Sequence, residues 1–195
     1  MLDMFELESL EHALRSLGAV LESRGASYQV LAVGGSSLLL LNVIRRPTAD
    51  LDVVGIVKDG RYVKAEPLPA PLTAAVADVG LALGLASNWL NPGPASLMDF
   101  GLPEGFEQRV TVRRYGGLEV HVAGRADLVC LKLYATVDAG PRSKHFADLQ
   151  DLQPSDDELL AGAQWAMTHD TSEAFRDELL RALAALGLEV TDAGL

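Results

Sequence analysis

Apolar positions along this chain change period several times, and each change predicts an element. From Met4 to Arg24, the residues Leu10, Ala13, Leu14, Leu17, Val20 and Leu21 recur at helical spacing. Glu8, Glu11, Arg15 and Glu22 fall between them, which predicts an amphipathic helix stopped at Gly25. Tyr28 to Val33 reads as a short strand running into Gly34-Gly35. Ser36 is placed to cap a second helix ending near Leu41, and Arg45-Arg46-Pro47-Thr48 turns the chain out of it. Asp50 to Val57 first alternates and then runs apolar, the pattern of a strand buried on at least one face. Asp59-Gly60 is a hairpin signal, with a short strand to follow at Tyr62 to Ala65.

The proline-rich stretch Pro67 to Pro71 leads into an Ala- and Leu-rich helix from Leu72 to about Leu85. Asn91-Pro92-Gly93-Pro94 and Gly101-Leu102-Pro103 punctuate an irregular region. A hairpin is expected from Arg109 to Tyr115, through Gly116-Gly117, to Leu118–Ala123, with Val110, Val112, Val120 and Val122 as its apolar positions. Helical patterning returns at Ala126 to Val137, then at Ser143 to Leu152, Ser155 to Thr168 and Ser172 to Leu186. Ser155-Asp156-Asp157-Glu158 carries a capping-box signal with acids in the first turn. This order predicts an α/β (α+β) fold, a mixed sheet flanked by helices with a helical C-terminal part.

Composition narrows the picture. At 195 residues, 49% hydrophobic and 22% charged, the chain can bury one well-formed core. Its apolar runs, Leu38 to Leu41 among them, are far too short to span a bilayer, and an acidic first segment is unlike a secretion signal. The single cysteine, Cys130, lies in an apolar stretch, which predicts a buried structural thiol and a cytoplasmic location. The net charge of −11 argues against a general nucleic-acid binder, so any RNA contact needs a local basic patch.

The candidate chemistry lies in Val33-Gly34-Gly35-Ser36-Ser37 and in Thr48-Ala49-Asp50-Leu51-Asp52-Val53-Val54. A strand ending in two glycines lets backbone approach a ligand, and the following helix offers free N–H groups and a hydroxyl to a phosphate. On a strand, Asp50 and Asp52 share one face while Leu51 and Val53 take the other. Two carboxylates that close repel by about 4 kcal/mol at an effective dielectric of 20. Mg²⁺, which takes one or two carboxylates plus substrate phosphates, offsets that repulsion. Taken singly, Gly-Gly is an ordinary turn and Asp-x-Asp an ordinary solvated face. Their joint arrangement is rarer.

That arrangement resembles the signature of the nucleotidyltransferase superfamily: a hydrophobic residue and Gly-Gly/Ser, then Asp-hydrophobic-Asp-hydrophobic. The segment Ser37 to Ala49 separates the two parts. The stretch Leu118 to Leu152 is similar to the downstream half of the toxin-type members, the AbiEii/MenT-like group, on Asp127-Leu128, Lys132, Arg142 and Lys144-His145-Phe146-Ala147-Asp148. With Arg46-Pro47-Thr48, the likeness covers roughly residues 28–152. It implies a nucleotidyltransferase-like catalytic domain over 1–153 and a helical segment over 154–195 packed on it as one compact unit. It also implies transfer of NMP from an NTP to an acceptor hydroxyl, with Asp50 and Asp52 as Mg²⁺ ligands. Gly34, Gly35, Ser36, Arg46 and Lys132 would bind nucleotide, and Asp148 would complete the active site. Thr48 becomes a candidate regulatory site. The resemblance also implies the 3′ end of a tRNA as acceptor and a cognate antitoxin as partner.

Simpler readings accompany these. Lys132 can snorkel to solvent from a half-buried helix, and Asp148 can pair with Lys144 one turn earlier. The superfamily's third carboxylate has no clean counterpart: Glu119 and His121 share the right strand face, which leaves the number of metal ions open. Arg109, Arg113, Arg114, Arg142 and Lys144 are the candidates for a basic patch. Two alternatives stand beside tRNA transfer. One is a small cationic acceptor of the aminoglycoside type, which the acidic surface favours. The other is a degenerate fold used as a binding module, which retention of both Asp50 and Asp52 argues against.

Overall fold

The computed structural model describes residues 4–190, so the last part of the expected C-terminal segment lies outside the described residues. The chain divides into two compact units. The first comprises Met1–Leu102 with Val110–Ala123, and the second Pro103–Arg109 with Gly124–Leu195.

The first unit is an α/β layer built on a mixed sheet. Helix α1 (Leu7–Ser23) precedes β1 (Tyr28–Val33) and the short α2 (Gly34–Leu40). Strands β2 (Leu51–Lys58) and β3 (Arg61–Lys64) form the predicted hairpin around Asp59-Gly60. Helix α3 (Ala70–Leu83), the two-residue β4 (Leu90–Asn91) and a 3₁₀ helix over Ala95–Phe100 follow. The second hairpin, β5 (Thr111–Tyr115) and β6 (Leu118–Val122), completes the sheet. Strands lie in the order β3-β2-β1-β6-β5, with β4 pairing β2 beside the stretch that β3 leaves open. The β1–β6 and β2–β4 pairs are parallel and the others antiparallel.

One face of this sheet is core. Val30, Ala32, Val53, Val120 and Val122 are fully buried, and α1 lies against β5 and β6 with Leu10, Leu14, Leu17 and Leu21 buried. Gly18 makes the approach possible, because a Cβ there would run into the Tyr115 carbonyl. The pairing of β1 with β2 slips by one residue: Leu31 opposes Gly55 while Ala32 opposes Val53, so Val54 is the extra residue of a β-bulge. The bulge lets Val53 and Val54 be buried in succession, and the Val54 carbonyl accepts a hydrogen bond from Ala65.

The second unit is helical among its described residues: α4 (Phe106–Arg109), α5 (Arg125–Ala139), α6 (Lys144–Leu152), α7 (Asp156–His169) and α8 (Glu173–Ala185). The α7 capping box is formed, Ser155 Oγ accepting from Glu158 N and Glu158 Oε2 from Ser155 N. Among the described residues, no helix is long and apolar enough to cross a membrane.

Several expectations shift. Val33, not Ser36, stands at the N-cap of α2, so Ser36 lies inside its first turn. Helix α3 starts before Leu72, because a proline in a first turn lacks only an N–H the helix does not use. Strand β5 starts at Thr111 after a turn of helix, and Val112 is exposed because it sits on the sheet's edge strand and on the face away from the core.

Candidate functional site

The glycine turn and the acid-bearing strand meet in the first unit. Asp52 stands opposite Val33, the residue before Gly34. Gly34 has φ +78°, and a Cβ on it would collide with Asp52 Oδ2. Only glycine combines that left-handed backbone with that proximity. A Cβ on Gly35 would lie 3.0 Å from Thr48 Oγ1 and 3.6 Å from an Arg46 guanidinium nitrogen. The turn therefore has Asp52 on one side and Arg46 with Thr48 on the other.

Asp50 and Asp52 are half-buried, whereas Leu51 and Val53 are fully buried, which is the alternation expected of the strand. Ser36 is buried, and its hydroxyl donates to the Asp50 main-chain carbonyl. It thus pins the acidic loop to the glycine turn instead of facing outward toward a phosphate. Thr48 is buried too, and its backbone exchanges hydrogen bonds with Phe5 at 2.6 and 3.0 Å. Phe5 in turn packs edge-on against Trp89, whose carbonyl accepts from Leu51 N at 2.6 Å.

Asn91 is a site residue that sequence reasoning missed. It pairs with Asp52 across β4–β2, its Nδ2 donates to Asp50 Oδ2 at 3.3 Å, and its Oδ1 accepts from Gly93 N at 2.8 Å. Its only sequence signal was an Asn-Pro-Gly-Pro run, which reads as punctuation. Glu119 and His121 occupy β6 as expected, but no group of three or more His, Cys, Asp or Glu suited to a metal forms among the described residues. The donor set is two carboxylates beside a cradle that a Cβ would fill. That set fits a hard divalent ion that draws its remaining ligands from substrate phosphate and water.

The second unit holds the other predicted pair. Lys132 Nζ lies 2.6 Å from Asp148 Oδ2, with the lysine side chain 5% exposed and the aspartate 0%. Lys132 therefore does not snorkel to solvent. Lys144 is exposed, and the bridge to Asp148 comes from Lys132. A second buried carboxylate, Asp127, takes Arg109 Nε on both oxygens, at 3.2 and 3.1 Å, and Nη2 at 2.5 Å. Burial raises the Asp127 pKa and Arg109 opposes that rise, while the pairing raises Arg109 further. Burial also pushes the Cys130 thiol up to about 11, in keeping with an inert structural cysteine.

The basic residues expected to form an RNA patch are largely engaged. Arg109 is held by Asp127, Arg113 by Glu11 and the Leu40 carbonyl, and Arg114 by Glu119. Arg142 and Lys144 are exposed.

A family model described as a nucleotidyltransferase of unknown function (DUF6036) matches residues 8–155. The chain belongs to that family. No curated protein and no solved structure matches it. The matched segment of this nucleotidyltransferase-family protein contains Gly34, Gly35, Asp50, Asp52, Lys132 and Asp148 together, and it ends before α7 and α8.

Proposed function

We propose that the protein is an Mg²⁺-dependent nucleotidyltransferase that moves NMP from an NTP to an acceptor hydroxyl. The observation that carries this reading is Gly34. It is a left-handed glycine whose missing Cβ leaves room directly at Asp52 Oδ2, beside Asp50, whose carboxylate accepts from Asn91 and whose main-chain carbonyl accepts from Ser36. Asp50 and Asp52 hold the metal, which when bound lowers the charge on the attacked α-phosphate. The Gly34-Gly35 backbone admits the triphosphate, and Arg46 offsets its charge. From the family likeness alone, Lys132 is a further candidate for binding nucleotide, and Asp148 holds that amine in place.

For the acceptor, the likeness to toxin-type enzymes favours a tRNA 3′ end, with a cognate antitoxin as partner. Thr48 is the proposed regulatory position: a phosphate on its hydroxyl would fill the space over Gly35. A specific observation favours the second reading, a small cationic acceptor. Three of the five candidate RNA-binding cations are tied to carboxylates, on a chain of net charge −11.

The test incubates the protein with each labelled NTP, Mg²⁺ and total tRNA, beside Asp50→Ala. Label on RNA that disappears in the variant supports the first reading. Transfer only to a small hydroxylated amine selects the second. Transfer that survives Asp50→Ala removes the site.

A further inference from the structure

The sheet face that carries Asp52 holds a second constellation. Residues opposite one another in register share a face, and alternate residues of a strand return to it. Asp52 opposes Val33, and two residues back along β1, Leu31 opposes both Gly55 and His121. Val57 opposes Tyr62. The bulge at Val54 brings Gly55 and Val57 onto the Asp52 face, and Tyr62, Glu119 and His121 with them.

Gly55 has no side chain, Leu31 beside it is fully buried, and Tyr62 reaches across both to His121. The Tyr62 hydroxyl lies 2.7 Å from His121 Nδ1, with the two rings edge-on at 5.6 Å. The other imidazole nitrogen, Nε2, is buried, has no hydrogen-bond partner among the described residues, and lies 3.6 Å from Glu119 Oε2. The order is carboxylate, imidazole, hydroxyl. A proton on Nε2 faces Glu119 and leaves the Nδ1 lone pair aimed at the phenol, the arrangement that activates a hydroxyl nucleophile. The imidazole row is two residues, about 7 Å, along the strands from the Asp52 row. Transfer to Tyr62 requires the α-phosphate of an NTP held at Asp50 and Asp52 to lie between these two rows, over β1.

We propose that Tyr62 is itself a nucleotidyl acceptor, so that the protein modifies its own sheet face; this rests on the nucleotidyltransferase reading. Tyr62 Oη attacks the α-phosphorus of an NTP and forms the new O–P bond. The bond from that phosphorus to the bridging oxygen breaks, and its electron pair leaves with pyrophosphate. The phenol proton passes to His121 Nδ1, and Glu119 holds the imidazolium until that proton is returned to water. His121 is the base on the reacting oxygen and Glu119 its positioning residue. The product is a tyrosyl nucleoside monophosphate diester, one per pyrophosphate released.

The experiment incubates the full chain with each α-labelled NTP and Mg²⁺, first without and then with total tRNA. Label on the protein is read by denaturing gel and mapped by tandem mass spectrometry, and NTP binding is measured by calorimetry. The expected result is label on Tyr62, absent in Tyr62→Phe and Asp50→Ala and slowed about 100-fold or more in His121→Gln. Label on any other residue, or label that persists in Tyr62→Phe, overturns the proposal. Mapping on the wild type decides the matter even where a variant fails to fold. Transfer to RNA or a small hydroxyl with none to Tyr62 overturns self-modification and leaves the nucleotidyltransferase reading standing. NTP binding without transfer to anything also overturns self-modification, and absence of both binding and transfer removes the underlying reading with it.

Discussion

At the scale of single residues, Gly34 is the most constrained position of the candidate site. An alanine there bears about 1–2 kcal/mol of left-handed backbone strain. Its methyl group must also displace the Asp52 carboxylate. Gly34→Ala is therefore expected to abolish nucleotidyl transfer while lowering the urea midpoint only modestly, whereas Gly60→Ala, also at positive φ but with open space around it, should lose stability alone. Cys130 yields a prediction about pH. Its folded pKa of about 11 exceeds the ordinary 9.0, so the neutral thiol is the form the fold favours. That stability is fully present below pH 9 and is lost as pH rises through 11, to a limit of about 2–3 kcal/mol. Urea midpoints at pH 8 and 10.5 should diverge more for the wild type than for Cys130→Ala. Iodoacetamide at pH 8 should react with the folded protein about 100-fold more slowly than with the unfolded chain, from thiolate fraction alone.

Between elements, the buried Lys132–Asp148 bridge ties α5 to α6. Removing one partner strands a buried charge at a cost of about 3–5 kcal/mol, whereas replacing both with apolar residues recovers much of that. Lys132→Met and Asp148→Leu should each lower the chemical-denaturation midpoint sharply, and the double variant less than either. Nucleotidyl transfer should fail in all three. Recovery of transfer in the double variant would make the pair purely structural. This bridge also marks what the sequence could and could not tell. Strand β1 and helices α1, α6 and α7 were legible because their periodicity and caps are local. Lys132 was legible as a charge in an apolar helix and Asp148 only through the family likeness, but their partnership joins two helices and has no local signature. The bulge at Val54 was hidden for the same reason, since a run of valines does not reveal which partner residue each one faces. Asn91 escaped because a two-residue strand has no period, and its proline and glycine neighbours look like any loop.

For the whole molecule, charge governs which acceptor it can reach. With Arg109, Arg113 and Arg114 bound to carboxylates, exposed Arg142 and Lys144 are the main cations left from the expected patch. If RNA is the acceptor, its binding should depend only shallowly on salt, with a log–log slope of about −1.4 for two phosphate contacts to a single strand. Arg142→Ala with Lys144→Ala should flatten it further in a filter-binding titration. A steep slope would place the RNA on cations that must first leave their carboxylates. The sheet as a whole is organised by one extra residue. Because β2 changes phase at Val54, its acidic end and its packing end accept substitutions independently of each other, but not changes in length. Deleting that residue would force the strand into a single alternation and turn either the aspartates or Gly55 and Val57 to the opposite side. The residue count of β2 is thus the quantity its two functions share, while the composition of each end is set separately.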